Sequence, residues 1–134
     1  MGYVVVLLIV VIVGCIFFTK HKNRTVGEFQ NVHAKIDSAN EGNVDDMWWL
    51  GMYFMQKQKK DKSLEWFTKA INRGDVRSMK TLSRQYSEAM NSKELGMEGF
   101  GYDRKKEIGL LQMAADAGDA EAKEILALQH STNK

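Results

Sequence analysis

The side chains with chemistry to offer are few: His21, His33, His130, Cys15 and the adjacent carboxylates Asp45 and Asp46. Two histidines one helical turn apart would present a metal-binding pair on one face, and no two of these three have that spacing. A lone cysteine permits neither an internal disulfide nor a multi-cysteine metal site. Asp45 and Asp46 point about 100° apart on a helix, so they do not make a working acid–base pair. Near a helix start their charge complements the positive end of the dipole instead. The stretch GMEGFG, residues 96–101, has the glycine density of a phosphate loop, but no strand precedes it and no Gly-Lys-Ser/Thr follows. The chain therefore reads as a non-enzyme, with no cofactor, no metal and no small-molecule substrate. With 19 basic against 17 acidic residues the net charge is +2, which speaks against a general nucleic-acid binder.

The element nearest the amino terminus is a span. Tyr3 to Phe18, YVVVLLIVVIVGCIFF, carries no charge over 16 residues. As a helix it runs about 24 Å. Gly2, Thr19 and a snorkelling Lys20 extend it toward the ~30 Å hydrocarbon core. Residues 1–19 are read as a single transmembrane anchor and residues 20–25, with Lys20, His21, Lys22 and Arg24, as a basic juxtamembrane linker. Basic residues on that side place the rest of the chain in the cytoplasm, tethered to the inner membrane by one pass. A second reading stands beside it. Ile12-Val13-Gly14-Cys15 has the form of a lipobox, so a lipidated Cys15 would make the chain a periplasmic lipoprotein. Against that reading, no basic residue precedes the apolar run, and Ile16, Phe17 and Phe18 follow the cysteine where polar residues are usual. A cleaved signal peptide lacks its small-residue exit.

Beyond the linker, residues 26–134 repeat. Three segments align from a glycine without gaps: GNVDDMWWLGMYF from Gly42, GDVRSMKTLSRQY from Gly74 and GDAEAKEILALQH from Gly118. Eight residues on stands a leucine (Leu50, Leu82, Leu126), then a small residue (Gly51, Ser83, Ala127), and twelve on a ring (Phe54, Tyr86, His130). The glycine suits the left-handed position that ends a helix. The leucine and the ring share one helix face, and the small residue admits a close neighbour. A second pattern precedes two of the glycines, SLEWFTKAINRG and EIGLLQMAADAG, with VHAKIDSANEG a weaker copy before Gly42. Helix pairs of this kind bury their apolar faces only by stacking.

This pattern resembles the Sel-one-like repeat, a relative of the tetratricopeptide repeat, whose helices read A-x3-L-G-x2-Y and W-x3-A-A-x2-G. The first copy carries it at Asp46, Leu50, Gly51, Phe54, Trp66, Ala70, Ile71 and Gly74. The second does so at Ser78, Leu82, Ser83 and Tyr86, then Asp103, Leu110, Ala114, Ala115 and Gly118. A third, Ala122 to His130, has the first helix alone and caps the stack. The resemblance covers roughly residues 30–130, with several positions substituted. It implies an all-α fold, a short α-solenoid of antiparallel helix pairs, about six helices, behind the transmembrane helix. It also implies a role as an adaptor or scaffold that binds a protein partner in the helical groove. Some small bacterial proteins with this repeat are immunity factors, and tight one-to-one neutralisation of a secreted toxin is the alternative function.

Within that frame one face changes character between copies. Lys80, Thr81 and Arg84 of the second copy align with Trp48, Trp49 and Met52 of the first. Either the preceding segment, Val26 to Ala39, packs there as a cap over Trp48 or Trp49, or Trp49, Met52 and Tyr53 anchor a partner. In the second case Lys80 and Arg84, beside Arg77 and Gln85, form the polar half of the groove. The repeat also lengthens from 32 to 44 residues, the excess lying around Asn91 to Gly101. That insertion is either a connector or a further contact through Met97 and Phe100.

Overall fold

The computed structural model describes residues 12–13, 16, 28, 30–92 and 98–131. The expected span 1–19, the linker 20–25, Cys15 and Met97 lie largely or wholly outside them. No helix among the described residues is long and apolar enough to cross a membrane. Every regular element among them is helical: α1 (30–40), α2 (Val44–Gln56), α3 (Lys60–Ile71), α4 (Val76–Gln85), a 3-10 turn (Ala89–Asn91), α5 (Arg104–Asp116) and α6 (Ala120–Ser131).

Each glycine of the repeat ends one helix, and the residue after it starts the next. Gly42, Gly74 and Gly118 have φ of 108°, 83° and 99°, a region that a side chain disfavours. The following Asn43, Asp75 and Asp119 accept hydrogen bonds from the backbone N–H of Asp46, Ser78 and Ala122 at 3.2, 3.0 and 2.9 Å. Such caps satisfy donors that the first helical turn leaves open. Turns this short force antiparallel neighbours, and consecutive helices from α2 to α6 pack on one another.

The repeat positions form the core. Leu50, Leu82 and Leu126 are 0, 4 and 7% exposed, and the rings Phe54 and Tyr86 are 8 and 6%. Full burial of one such side chain stabilises by about 1.5–3 kcal/mol. α3 is apolar on two sides. Trp66 and Ala70 join a cluster with Val32, Ala39, Met47 and Leu50, while Phe67 and Ile71 join one that runs through Met79 and Leu111 to Leu126. The small position works as its size suggests, because a Cβ on Gly51 would lie 2.6 Å from the Phe67 ring. Ser63 Oγ donates to the Gly51 carbonyl at 2.8 Å, and Ser83 Oγ donates to that of Glu107 at 3.1 Å. α6 departs from the other copies. Lys123 and His130 stand where Met47 or Met79 and Phe54 or Tyr86 are buried, and both are exposed. Two positions that are apolar and buried in the other copies are thus polar and exposed on α6, although Leu128 beside them is 60% exposed.

The buried arc of the second copy runs through Met79, Leu82 and Tyr86 and goes no further. α4 stops at Gln85, and Ala89 lies exposed in the 3-10 turn. The inserted loop ends the helix by donating to its last carbonyls: Phe100 N–H to Gln85 at 2.9 Å and Asp103 N–H to Tyr86 at 3.0 Å. Gly99 is required for this approach, since a Cβ there would meet the Gln85 carbonyl oxygen at 2.5 Å.

Candidate functional site

The five groove residues expected from the sequence fall in two depressions. Trp49, Met52 and Tyr53, with Met55 and Gln56, line one of about 480 Å³ on α2. Lys80 and Arg84 line another of about 490 Å³ with Trp48, Val76, Arg77, Thr81 and Asp119. Trp48 and Trp49 point to different sides because adjacent helical residues diverge by about 100°.

The first depression is apolar and steadied from below. Trp49 and Tyr53, one turn apart on α2, stack with centroids 5.2 Å apart and planes 11° from parallel. Trp49 packs with the cluster that holds Val32 and Ala39, and Lys35 of α1 lies 5.0 Å from its ring centroid. Of the two tryptophans, then, Trp49 is the one that α1 approaches, and it remains only partly buried. Tyr53 donates its hydroxyl to the Glu28 carboxylate at 3.1 Å, and Lys57 Nζ pairs with the same carboxylate at 2.7 Å. Burial, then the hydrogen bond to Glu28, pushes the Tyr53 phenol above its ordinary pKa. Lys35 also pairs with Asp46 at 2.5 Å, and that hydrogen bond holds the Asp46 carboxyl below its ordinary value.

The second depression is ionic and occupied with its own contacts. Arg77 reaches Asp45 on α2 at 2.5 Å and Asp75 at 3.0 Å, with its guanidinium 5.2 Å from the Trp48 centroid. Lys80 pairs with Glu121 and, at 3.4 Å, with Asp119, both at the start of α6. These contacts raise the pKa of each cation further. Arg84 alone of the three has no ion pair among the described residues. Lys80, expected to line a groove, also staples α4 to α6. One signal was available: the position three residues after each glycine alternates in sign, Asp45, Arg77 and Glu121, and Asp45 does meet Arg77 while Glu121 meets Lys80 one turn on.

The remaining candidates separate. Phe100 packs edge-on against Tyr86 at 6.2 Å, partly buried, so it plugs the core beside the loop. Met97, Cys15 and His21 lie outside the described residues. His33 and His130 are exposed. Among the described residues no three His, Cys, Asp or Glu side chains stand close enough to hold a metal ion.

No protein-family model matches the chain, and neither a curated protein nor a solved structure matches it.

Proposed function

We propose that the chain is a membrane-anchored interaction module, a short α-solenoid of Sel-one-like repeats that holds a partner protein through the outer face of α2. The supporting observation is the depression lined by Trp49, Met52, Tyr53 and Met55. Aromatic anchors concentrate binding energy, and methionines adapt their shape to an apolar partner. The stacked Trp49–Tyr53 pair is already ordered by Lys35 and Glu28, so binding needs little further loss of side-chain freedom. Residues 1–19 are the single-pass anchor in the inner membrane, with the repeats on the cytoplasmic side, and the tether raises the effective concentration of a membrane-associated partner.

Trp49→Ala tests the face. Partner capture in affinity purification of the full chain is lost while helicity by circular dichroism is kept. Loss of the folded state would assign Trp49 to the core. For the anchor, a compartment-specific reporter fused after Lys134 signals from the cytoplasm, unchanged by Cys15→Ser. A periplasmic signal with membrane attachment lost in Cys15→Ser would replace the span with a lipid.

A further inference from the structure

The antiparallel helices give the molecule two long edges, and charge is divided between them. One edge holds the end of α2, the start of α3 and the start of α5. Lys57, Lys59, Lys60 and Lys62 surround the α2–α3 turn, and Arg104, Lys105 and Lys106 open α5. Lys60 Nζ lies 3.1 Å from Glu98 in the α4–α5 connection, so the two groups share this edge. The opposite edge, at the glycine turns, carries six carboxylates, Glu41, Asp45, Asp75, Asp116, Asp119 and Glu121, against the cations Arg73, Arg77 and Lys80.

The two edges differ in how their charges are used. On the glycine-turn edge Asp45, Asp75, Asp119 and Glu121 pair with Arg77 and Lys80. On the basic edge Lys59, Lys62, Arg104 and Lys105 have no ion pair among the described residues. Three cations in the first turn of α5 oppose the helix dipole; Lys106 is offset by Asp103 at 3.6 Å and by the Tyr86 ring 4.9 Å away, and Arg104 and Lys105 have no ion pair among the described residues. Tyr102, just before them, is 52% exposed. An exposed tyrosine beside free lysines and arginines suits a surface of charged headgroups over hydrocarbon.

The entry point of the chain lies on the same edge, because Glu28 contacts Tyr53 and Lys57 at the end of α2. Residues 20–27 separate the anchor from Glu28 and span at most about 28 Å even when fully extended. We propose that the basic edge docks on the anionic phospholipid headgroups of the membrane that holds the anchor. This rests on the anchored reading of residues 1–19. Each unpaired cation near such a surface contributes roughly a factor of five. Docking turns the glycine-turn edge away from the bilayer and leaves the α2 face open sideways, toward partners on the same membrane.

The test uses the full chain in a Cys15→Ser background, reconstituted with vesicles of phosphatidylcholine alone or mixed with phosphatidylglycerol. A fluorophore is placed on the basic edge through Asp61→Cys, or on the opposite edge through Asp116→Cys, and quenched by headgroup-labelled lipid. The Asp61→Cys label is quenched strongly in the anionic vesicles, weakly in neutral ones or at high salt, and the Asp116→Cys label in neither. Adding Lys59→Glu, Arg104→Glu and Lys105→Glu lowers the ratio of docked to undocked chain by about 100-fold or more and abolishes the difference. Equal quenching of the two labels in anionic vesicles would overturn the proposal, as would tighter binding to duplex DNA than to those vesicles. Flotation with neutral vesicles reports the anchor separately. A chain that floats only with anionic vesicles, its Asp61→Cys label still quenched, would discard the anchor and keep the docking edge.

Discussion

The two helix pairs, α2–α3 and α4–α5, share an inner plan and differ on the outside. Met47 and Met79, Leu50 and Leu82, and Phe54 and Tyr86 occupy the same repeat positions and are all buried. The outer positions diverge. On α2 they carry Trp48, which meets Arg77 of α4, and then Trp49 and Met52 around an open apolar depression; on α4 they carry Lys80, tied to α6, then Thr81 and the exposed Arg84. Positions that meet the core are constrained by packing and stay alike, whereas outer positions are free to specialise. Both pairs use one side of the outer face to hold the next helix, through Asp45 and Trp48 in the first and Lys80 in the second, and only the first adds an open apolar side at Trp49 and Met52.

Substitutions that break the shared plan have the largest effects. Leu50→Ala and Leu82→Ala each destabilise by about 2–5 kcal/mol. Both then lower the thermal midpoint by about 10 °C or more, at roughly 4–8 °C per kcal/mol; a small shift in either would break the equivalence of the copies. The small position sharpens the comparison. Gly51→Ser drives a side chain into Phe67 and costs about 1–3 kcal/mol, while Ser83→Ala at the equivalent site loses one hydrogen bond of about 1 kcal/mol. Chemical denaturation of the two variants ranks them directly. On the outer faces, Lys80→Met releases the start of α6 and costs up to about 1 kcal/mol, less at high salt. Faster amide exchange confined to α6 would register it.

The smallest effect is acid sensitivity between α1 and α2. Lys35 holds the Asp46 carboxyl below its ordinary value of 3.8. The folded state thus binds this proton less readily than the unfolded chain. The resulting stability is present above pH 3.8 and lost as pH falls through the lowered folded value. Amide exchange in residues 30–40 accelerates below about pH 4 relative to α3, which has no side-chain cap, and Asp46→Asn removes that pH dependence.

Much of the helical layout was legible because its signals are local. A glycine with a capping Asn or Asp, a leucine eight residues on and a ring twelve on are written in consecutive residues, and α2, α4 and α6 follow them. The end of α4 was not legible, since its last carbonyls are taken by Phe100 and Asp103 from a loop whose course depends on tertiary packing. The site was legible in kind but not in arrangement. Periodicity marks an unusual apolar face at Trp48, Trp49 and Met52, but which tryptophan meets α1 and which meets Arg77 depends on how neighbouring helices cross. The engagement of Lys80 by Asp119 and Glu121 needs distances between repeats that no single helix contains.

The most direct test of the divided outer faces is site-specific photo-crosslinking in cells from Met52 and, separately, from Arg84, each ten residues after its own glycine. A discrete partner adduct from position 52 and none from position 84 is the predicted result. An adduct of equal yield from position 84, or none from position 52 while the chain remains folded, would contradict the assignment of the α2 face to partner binding.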